Sequence, residues 1–283
     1  MENQELDEKN LKALVSLLAD EDVEILRHVR DKIISLGEPL IPFLEQEWES
    51  NFNPLVQKRI IEIIHRVQFS SLKNRLKSWK ESSEQDLVEA LWLIATYQYP
   101  DLDKNKVKAE LEQIFYEVWP DMQEEMRPMD AVKVINNVLF NKLKFSANTK
   151  NFHSPSNSMI NSVLESRKGN PISLCLVYML VAQKLKLPVY GVNLPNLFIL
   201  TYKTDKEQFY INAFNKGLIF SKADIDNYLS HLSLSPNPVF YEPCTHVDIV
   251  ARIFRNLIAS FEKISELEKA KEVKQLLEII ESN

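Results

Sequence analysis

The chain has 283 residues, of which 45% are hydrophobic and 26% charged, a composition typical of a folded protein with one large domain or two modest ones. Because 34 basic residues face 40 acidic ones, the formal net charge is −6, which disfavours broad electrostatic attraction to nucleic acid. The longest wholly apolar run, Leu174 to Ala182, is shorter than the ~20 residues that a membrane-spanning helix needs. We therefore expect neither a nucleic-acid partner nor a membrane span.

The start of the chain and its cysteines favour a cytoplasmic location. Met1 to Asn10 is acidic and polar and lacks the apolar segment of a secretory signal. Cys175 and Cys244 are too few for a disulfide framework, which fits a reducing compartment. The sequence contains no HExxH or CxxC motif and no glycine-rich phosphate loop, so we predict no metal and no cofactor.

The first part of the chain is predicted to be helical. One helix runs from about Asp22 to Leu36, with Gly37 at its carboxyl-terminal cap. A third helix is predicted around Phe43 to Glu49. The helix after it repeats the apolar spacing of the Asp22 to Leu36 helix and resembles a degenerate HEAT-type repeat, although an ordinary helical bundle is the alternative. A protein-docking surface is one role open to these helices. The polar stretch from Lys80 to Asp86 predicts a boundary. The matched positions are Ile25, Val29 and Ile33 with Val56, Ile60 and Ile64.

The centre of the chain concentrates the irregular geometry. Gly169, Gly191 and Gly217 are three of the four glycines, and glycine is favoured where the backbone turns tightly or is closely approached. Asn170 is predicted to cap a helix that begins at Pro171 and ends near Leu185. That helix is apolar nearly all round, which predicts burial. A short helix before it is expected to be capped by Asn157 or Ser158.

Three or four short strands are predicted after this buried helix, with Leu218 to Phe220 as the optional fourth. Polar connections between them indicate hairpins, so the strands should pair antiparallel. Together with the helices they predict a helix-rich α+β fold. The predicted strands are Val189 to Leu194, Asn196 to Tyr202, Gln208 to Phe214 and Leu218 to Phe220.

Three stretches carry a specific resemblance: Asn157 to Leu174, Leu187 to Pro195, and Tyr210 to Phe214. They resemble the transglutaminase-like superfamily, which is papain-related in fold, and within it the bacterial SirB-type branch. Members of that branch join such a core to a tetratricopeptide-like tail. The likeness runs from roughly Asp86 to Leu232.

The resemblance implies where a catalytic triad would lie. Active members place a cysteine at the first turn of the buried helix, a histidine on the second strand and an aspartate on the third. The thiolate attacks, the histidine transfers the proton and the aspartate orients the histidine. Here those positions are Pro171, Leu197 and Asn212. Proline at the first position is common in the branch, but the branch usually keeps the histidine and the aspartate. We therefore predict a degenerate triad, and a former cleft near Asn157, Pro171, Leu197 and Asn212.

Cys175 is the alternative nucleophile. It lies one helical turn deeper than Pro171, among apolar residues, and we interpret it as a small buried hydrophobe. A base for it would have to be His153, His231 or His246, none of which lies in a recognisable motif.

The end of the chain is predicted to form a helical hairpin. Thr245 is expected to cap its first helix, with Asp248 completing a capping box. This hairpin resembles the tetratricopeptide-like end of SirB-type proteins.

The predicted domains are therefore 1–82 as HEAT-like helices, 83–235 as a transglutaminase-like core with a small antiparallel sheet, and 236–283 as the tetratricopeptide-like hairpin. We predict a non-catalytic cytoplasmic scaffold or binding module whose partner is a protein or peptide. The alternative is a cysteine-dependent hydrolase or acyltransferase that uses Cys175.

Overall fold

The computed structural model describes residues 8–282, which form two compact units that divide between Arg75 and Leu76. Most of the amino-terminal stretch that we examined for a secretory signal lies outside the described residues. Within residues 8–282, no helix is both long and apolar enough to cross a membrane.

The first unit is helical. Asp22 caps α2 (Val23–Leu36) by accepting hydrogen bonds from the backbone of the first turn, and Gly37 ends that helix with φ of 76°, a conformation that favours glycine. Ile25 is 38% exposed whereas its proposed counterpart Val56 is buried, so the two positions differ in burial. The HEAT-type interpretation stays a prediction. The helices are α1 (Glu8–Ser16), α2 (Val23–Leu36), α3 (Ile41–Ser50) and α4 (Pro54–Glu81), the last of which continues into the second unit.

The second unit is helix-rich and contains the predicted antiparallel sheet. The buried helix α9 (Pro171–Lys184) begins where its capping residue and its proline predicted. The carboxyl-terminal hairpin is also present, and Thr245 and Asp248 form the predicted capping box. The helices are α5 (Leu87–Thr96), α6 (Lys104–Val118), α7 (Pro128–Asn136), α8 (Ile160–Ser166), α9 (Pro171–Lys184), α10 (Lys222–His231), α11 (His246–Lys263) and α12 (Leu267–Glu281).

The main sheet has four antiparallel strands in chain order: β3 (Val189–Leu194), β4 (Leu197–Lys203), β5 (Gln208–Asn212) and β6 (Leu218–Phe220). The third strand is shorter than predicted, because the backbone turns into a short 3₁₀ helix at Ala213–Asn215. Opposite residues such as Leu194 and Leu197 pair across the tight turn between β3 and β4. The sheet packs with one face on α9, while its other face carries an apolar cluster that includes residues of α10.

A second, very small sheet was not predicted. It pairs β1 (Ser146–Ala147) with β2 (Lys168–Gly169) in parallel, and two residues are too few to show an alternating pattern in sequence. The pairing holds the chain just before α9, and so it helps to position the start of that helix.

Candidate functional site

The start of α9, where the resemblance implies a nucleophile, is closed by a reciprocal capping box. The Oδ1 of Asn170 accepts a hydrogen bond from the Ser173 N–H at 2.9 Å, and the Ser173 Oγ accepts one from the Asn170 N–H at 3.0 Å. The Nδ2 of Asn170 donates to Ser158 at 2.8 Å. Pro171 follows as the first helical residue and has neither a backbone N–H nor a nucleophilic atom. The first turn of α9 is therefore held rigidly by side-chain hydrogen bonds and by the proline ring.

Gly169 is required immediately before this turn. A Cβ at Gly169 would lie 2.3 Å from the Ser173 Oγ, a distance that the capping box cannot accommodate. The carbonyl of Gly169 accepts a hydrogen bond from the Asn148 N–H at 2.9 Å, next to the parallel pairing of β1 and β2. The glycine thus permits the close approach that its position in the sequence indicated.

Asn157 has a structural role beside this turn. Its amide donates to the carbonyls of Asn151 and Phe152 at 2.7 and 3.0 Å, and its Oδ1 accepts from Asn148 at 2.8 Å. The prediction that Asn157 or Ser158 caps the following helix is wrong, because Met159 is the N-cap of α8 and makes no side-chain cap. The side chain of Asn148 takes the Asn157 Oδ1 as its hydrogen-bond acceptor, and this is the oxygen that a helix cap would use.

A pocket of about 250 Å³ opens at the start of α9. Pro171 lines it, together with residues from three other parts of the second unit. Leu197, Asn212 and Asn157 are absent from its lining, so the structure does not gather the four residues of the predicted cleft around this pocket. The lining residues are Phe152, His153, Asn170, Pro171, Ile172, Asn196, Phe198, Arg252, Asn256, Ala259 and Ser260.

Leu197 and Asn212 lie on the sheet face that turns away from α9. Leu197 packs against the apolar cluster that contains Ile199 and Tyr210. Asn212 follows Tyr210 by two residues in β5, and alternate residues of a strand point to the same face. Its buried Oδ1 accepts a hydrogen bond from the Asn215 N–H at 3.2 Å, where the backbone leaves the strand. Leu197 and Asn212 therefore lie on the face of the sheet that is turned away from Pro171.

Phe198, the next residue in β4, points to the face of the sheet that packs on α9. A Cβ at Gly191 would lie 2.6 Å from the Phe198 Cζ, so glycine on β3 makes room for this ring. Phe198 is buried and lines the pocket. An apolar ring therefore stands beside the start of α9.

Cys175 is fully buried below the first turn of α9. Its Sγ lies 3.5 Å from the backbone oxygen of Phe198, and it does not line the pocket. Burial raises the pKa of the Cys175 thiol to about 12, and a hydrogen bond with the backbone of Ala213 acts in the opposite direction. A thiol in this environment stays protonated at neutral pH and is a poor nucleophile.

The histidines do not supply a base for either sulfur. Among residues 8–282, neither Cys175 nor Cys244 forms a hydrogen bond with an imidazole. The Nδ1 atoms of His231 and His246 lie 2.7 and 2.9 Å from backbone carbonyls. His153 lines the pocket but is exposed and packs edge-on against Phe152. Burial also raises the pKa of the Cys244 thiol to about 12.

Arg252 is a pocket residue that the sequence reasoning missed. It lies on α11 and is half-buried, and its Nη1 donates to the Asn193 Oδ1 at 3.0 Å and to the Leu194 carbonyl at 3.2 Å. Burial, followed by the repulsion of Arg255, lowers the pKa of Arg252. The sequence signal that could have identified Arg252 is a cation placed among the apolar positions of a strongly amphipathic helix.

Within the described part of the chain, no three His, Cys, Asp or Glu side chains are grouped as a metal site.

One family model and several known proteins match the chain. The model of the transglutaminase-like superfamily matches residues 105–255. A UPF0162 protein of Xylella fastidiosa (strain Temecula1) is 33% identical over 179 residues, which cover 60% of this chain and 63% of that protein. The aligned part is thus less than two thirds of this relative.

Two further relatives show how the similarity is distributed. The UPF0162 protein BU173 of Buchnera aphidicola is 24% identical over 206 residues, which cover 71% of this chain and 76% of that protein. F-box only protein 21 of Mus musculus is 37% identical over 95 residues, which cover 31% of this chain and 15% of that protein. No solved structure matches the chain significantly.

Proposed function

Since this chain belongs to the transglutaminase-like superfamily, we propose that it is a non-catalytic member that acts as a scaffold and binds a protein or peptide segment. The observation that carries the proposal is the start of α9. Pro171 occupies the implied nucleophile position there, between Asn170 and Ser173, which cap the helix reciprocally. In serine proteases the loss of a whole triad lowers turnover by roughly 10⁶-fold. A proline offers no substitute nucleophile.

The burial of Cys175 supports the same proposal against a relocated nucleophile. Its sulfur is fully buried, faces the backbone of Phe198 and lies outside the pocket lining. A substrate carbonyl would have to displace the packed core of α9 to reach it. The pocket beside Pro171, with Phe152 and Phe198 in its walls, instead has room for a short segment of a partner chain.

The finer assignments belong to the same proposal. We place the chain in the SirB-type branch, with HEAT-like helices before the core and a tetratricopeptide-like hairpin in α11 and α12. The capping box at Thr245 and the close packing of the two helices support the hairpin. The two free thiols support a cytoplasmic location. The relative named F-box only protein 21 carries the similar segment as a small share of its length, in keeping with a module that can be joined to other domains.

Thiol labelling tests the non-catalytic assignment. Folded protein is treated with iodoacetamide at pH 7, and the rates at Cys175 and Cys244 are measured separately in Cys244→Ala and Cys175→Ala variants. A thiol pKa of about 12 at Cys175 predicts labelling at least ~10³-fold slower than in the urea-unfolded chain, because the thiolate fraction falls tenfold for each pKa unit. Fast, selective labelling of Cys175 in the folded protein would instead favour the cysteine-dependent hydrolase or acyltransferase.

A further inference from the structure

The guanidinium of Arg252 is a half-buried cation that has no anionic partner among residues 8–282. Its Nη1 is held by two neutral acceptors, the Asn193 side chain and the Leu194 carbonyl. Among residues 8–282, no carboxylate forms an ion pair with it, and the charged side chain that most affects it is the cation Arg255. A charge removed from water is costly unless it is paired.

The pocket that Arg252 lines is free of negative charge. Acidic residues outnumber basic ones in this chain, yet none of the aspartates and glutamates that the structure describes lines the pocket. Its other polar groups are the amides of Asn170, Asn196 and Asn256, the Ser260 hydroxyl and the His153 ring. These groups can donate hydrogen bonds to an oxygen anion.

The start of α9 adds to the positive character of the pocket. Pro171 and Ile172, the first two residues of this 14-residue helix, line the wall. The amino-terminal end of a helix carries a partial positive charge, which is screened by salt and confined to the first turn. The helix end is a supporting feature here, and the argument depends on Arg252.

The size and walls of the pocket limit the occupant. Its volume of about 250 Å³ equals roughly eight waters at their liquid volume of ~30 Å³. That space holds a carboxylate and one or two residues, and Phe152 and Phe198 give apolar surface for the adjoining side chain. Arg presents a planar fork of donors that matches a carboxylate.

We propose that the pocket binds a carboxylate of the partner peptide, with Arg252 as its ion-pairing residue. The inference deepens the proposed binding function and rests on it. Two sources of the carboxylate share this chemistry: the free carboxyl terminus of a chain, and an internal Asp or Glu side chain. Asn193 is a positioning residue, because its Oδ1 orients the guanidinium.

Three pools of random pentapeptides test the inference on the full chain by NMR, with ¹⁵N resonances of the arginine side chains as the readout. The first pool has free carboxyl termini and no Asp or Glu, the second has amidated termini and one Asp or Glu, and the third is amidated and neutral. We expect binding of the first or the second pool, which identifies the source, and at least ~10-fold weaker binding of the third, since a charge-assisted hydrogen bond contributes ~1.5–3 kcal/mol.

Three variants distinguish the loss of the ion pair between Arg252 and the peptide carboxylate from a loss of folding. Arg252→Gln is expected to weaken binding of the favoured pool at least ~10-fold, while Arg255→Gln on the same helix, where Arg255 is exposed and pairs with Glu281, stays within about twofold. Asn193→Ala keeps the charge and should weaken binding by an intermediate factor. Unfolding midpoints show whether each variant is folded.

Three results would overturn the inference. Equal binding of the neutral amidated pool, or an unchanged affinity in Arg252→Gln, would leave a peptide site without carboxylate recognition. The absence of binding by all three pools would reject both the carboxylate and the peptide occupant. The non-catalytic assignment is judged separately, because thiol labelling does not depend on any ligand.

Discussion

Asn170 and Ser173 cap the start of α9 reciprocally, and both residues are buried. A capping box at a buried helix end satisfies backbone donors that water cannot reach. The same motif occurs at Ser221 and Asp224 at the start of α10, where it is exposed. The two boxes therefore allow burial to be separated from capping.

Asn170→Ala is expected to destabilise the protein by ~2 kcal/mol, because it removes a cap and leaves the buried Ser158 hydroxyl and Ser173 N–H without this partner. Ser221→Ala at the exposed box should cost ~1 kcal/mol or less. Urea unfolding followed by tryptophan fluorescence measures both. Equal losses would show that burial of the α9 box adds nothing.

Gly217→Ala should destabilise the protein by more than ~1 kcal/mol, because Gly217 has φ of 75° and a Cβ there would lie 2.0 Å from the Asn136 Oδ1. In a double-mutant cycle, Asn136→Ala is the control: it gives up the hydrogen bond to the Gly217 carbonyl but removes the clash. The double variant is expected to lose less stability than the sum of the two single variants. Strict additivity would mean that backbone conformation alone requires the glycine.

The Cys175 thiol predicts a pH dependence of stability at alkaline pH. Its folded pKa of about 12 lies above the ordinary thiol value of ~8.5. The unfolded chain therefore loses this proton first, so the stabilisation is fully present below the ordinary value and is lost as pH rises toward 12. We expect Cys175 to contribute a loss of up to ~1.4 kcal/mol for each pH unit above 9.

Comparison of two variants checks this dependence. Cys175→Ala should have a shallower fall of unfolding free energy between pH 9 and 10.5 than the parent protein. Val177→Ala, which also shortens a buried side chain of α9 but keeps the thiol, should retain the parent slope. Identical slopes in the parent and Cys175→Ala would indicate that the thiol is not shielded from water.

Restoring the implied triad residues is expected to leave a cysteine at position 171 without an activating histidine. Leu197 and Asn212 lie on the face of the sheet that turns away from α9. The sulfur introduced by Pro171→Cys should react with iodoacetamide at the same rate, within about twofold, with or without Leu197→His and Asn212→Asp. A matched pair in the Cys175→Ala/Cys244→Ala background reports that sulfur alone. A rate increase of ~10-fold or more in the triple variant would show that the imidazole reaches residue 171.

Much of the second unit could be predicted from local patterns. Pro171 after Asn170, and Asp248 after Thr245, mark helix starts through contacts within three residues of the chain. The strands β3 and β6 begin and end where their apolar runs and turn residues indicated. Such signals depend on neighbours in sequence, so they are readable without the fold. The helix α10 was not predicted, although Ser221 and Asp224 form a capping box of the same kind at its start. The two-residue pairing of β1 with β2 carries no comparable local pattern.

By itself, the sequence determined the helix-rich α+β class and the start of α9, because capping and periodicity are properties of short stretches of chain. Only the tertiary structure decided which residues surround the pocket. Arg252 reaches Asn193 and Leu194 from more than fifty residues away, and Leu197 packs on the apolar cluster with Ile199 and Tyr210 instead of lining the pocket beside Pro171. These placements depend on which faces pack together, and the free energy of that packing is shared by distant segments.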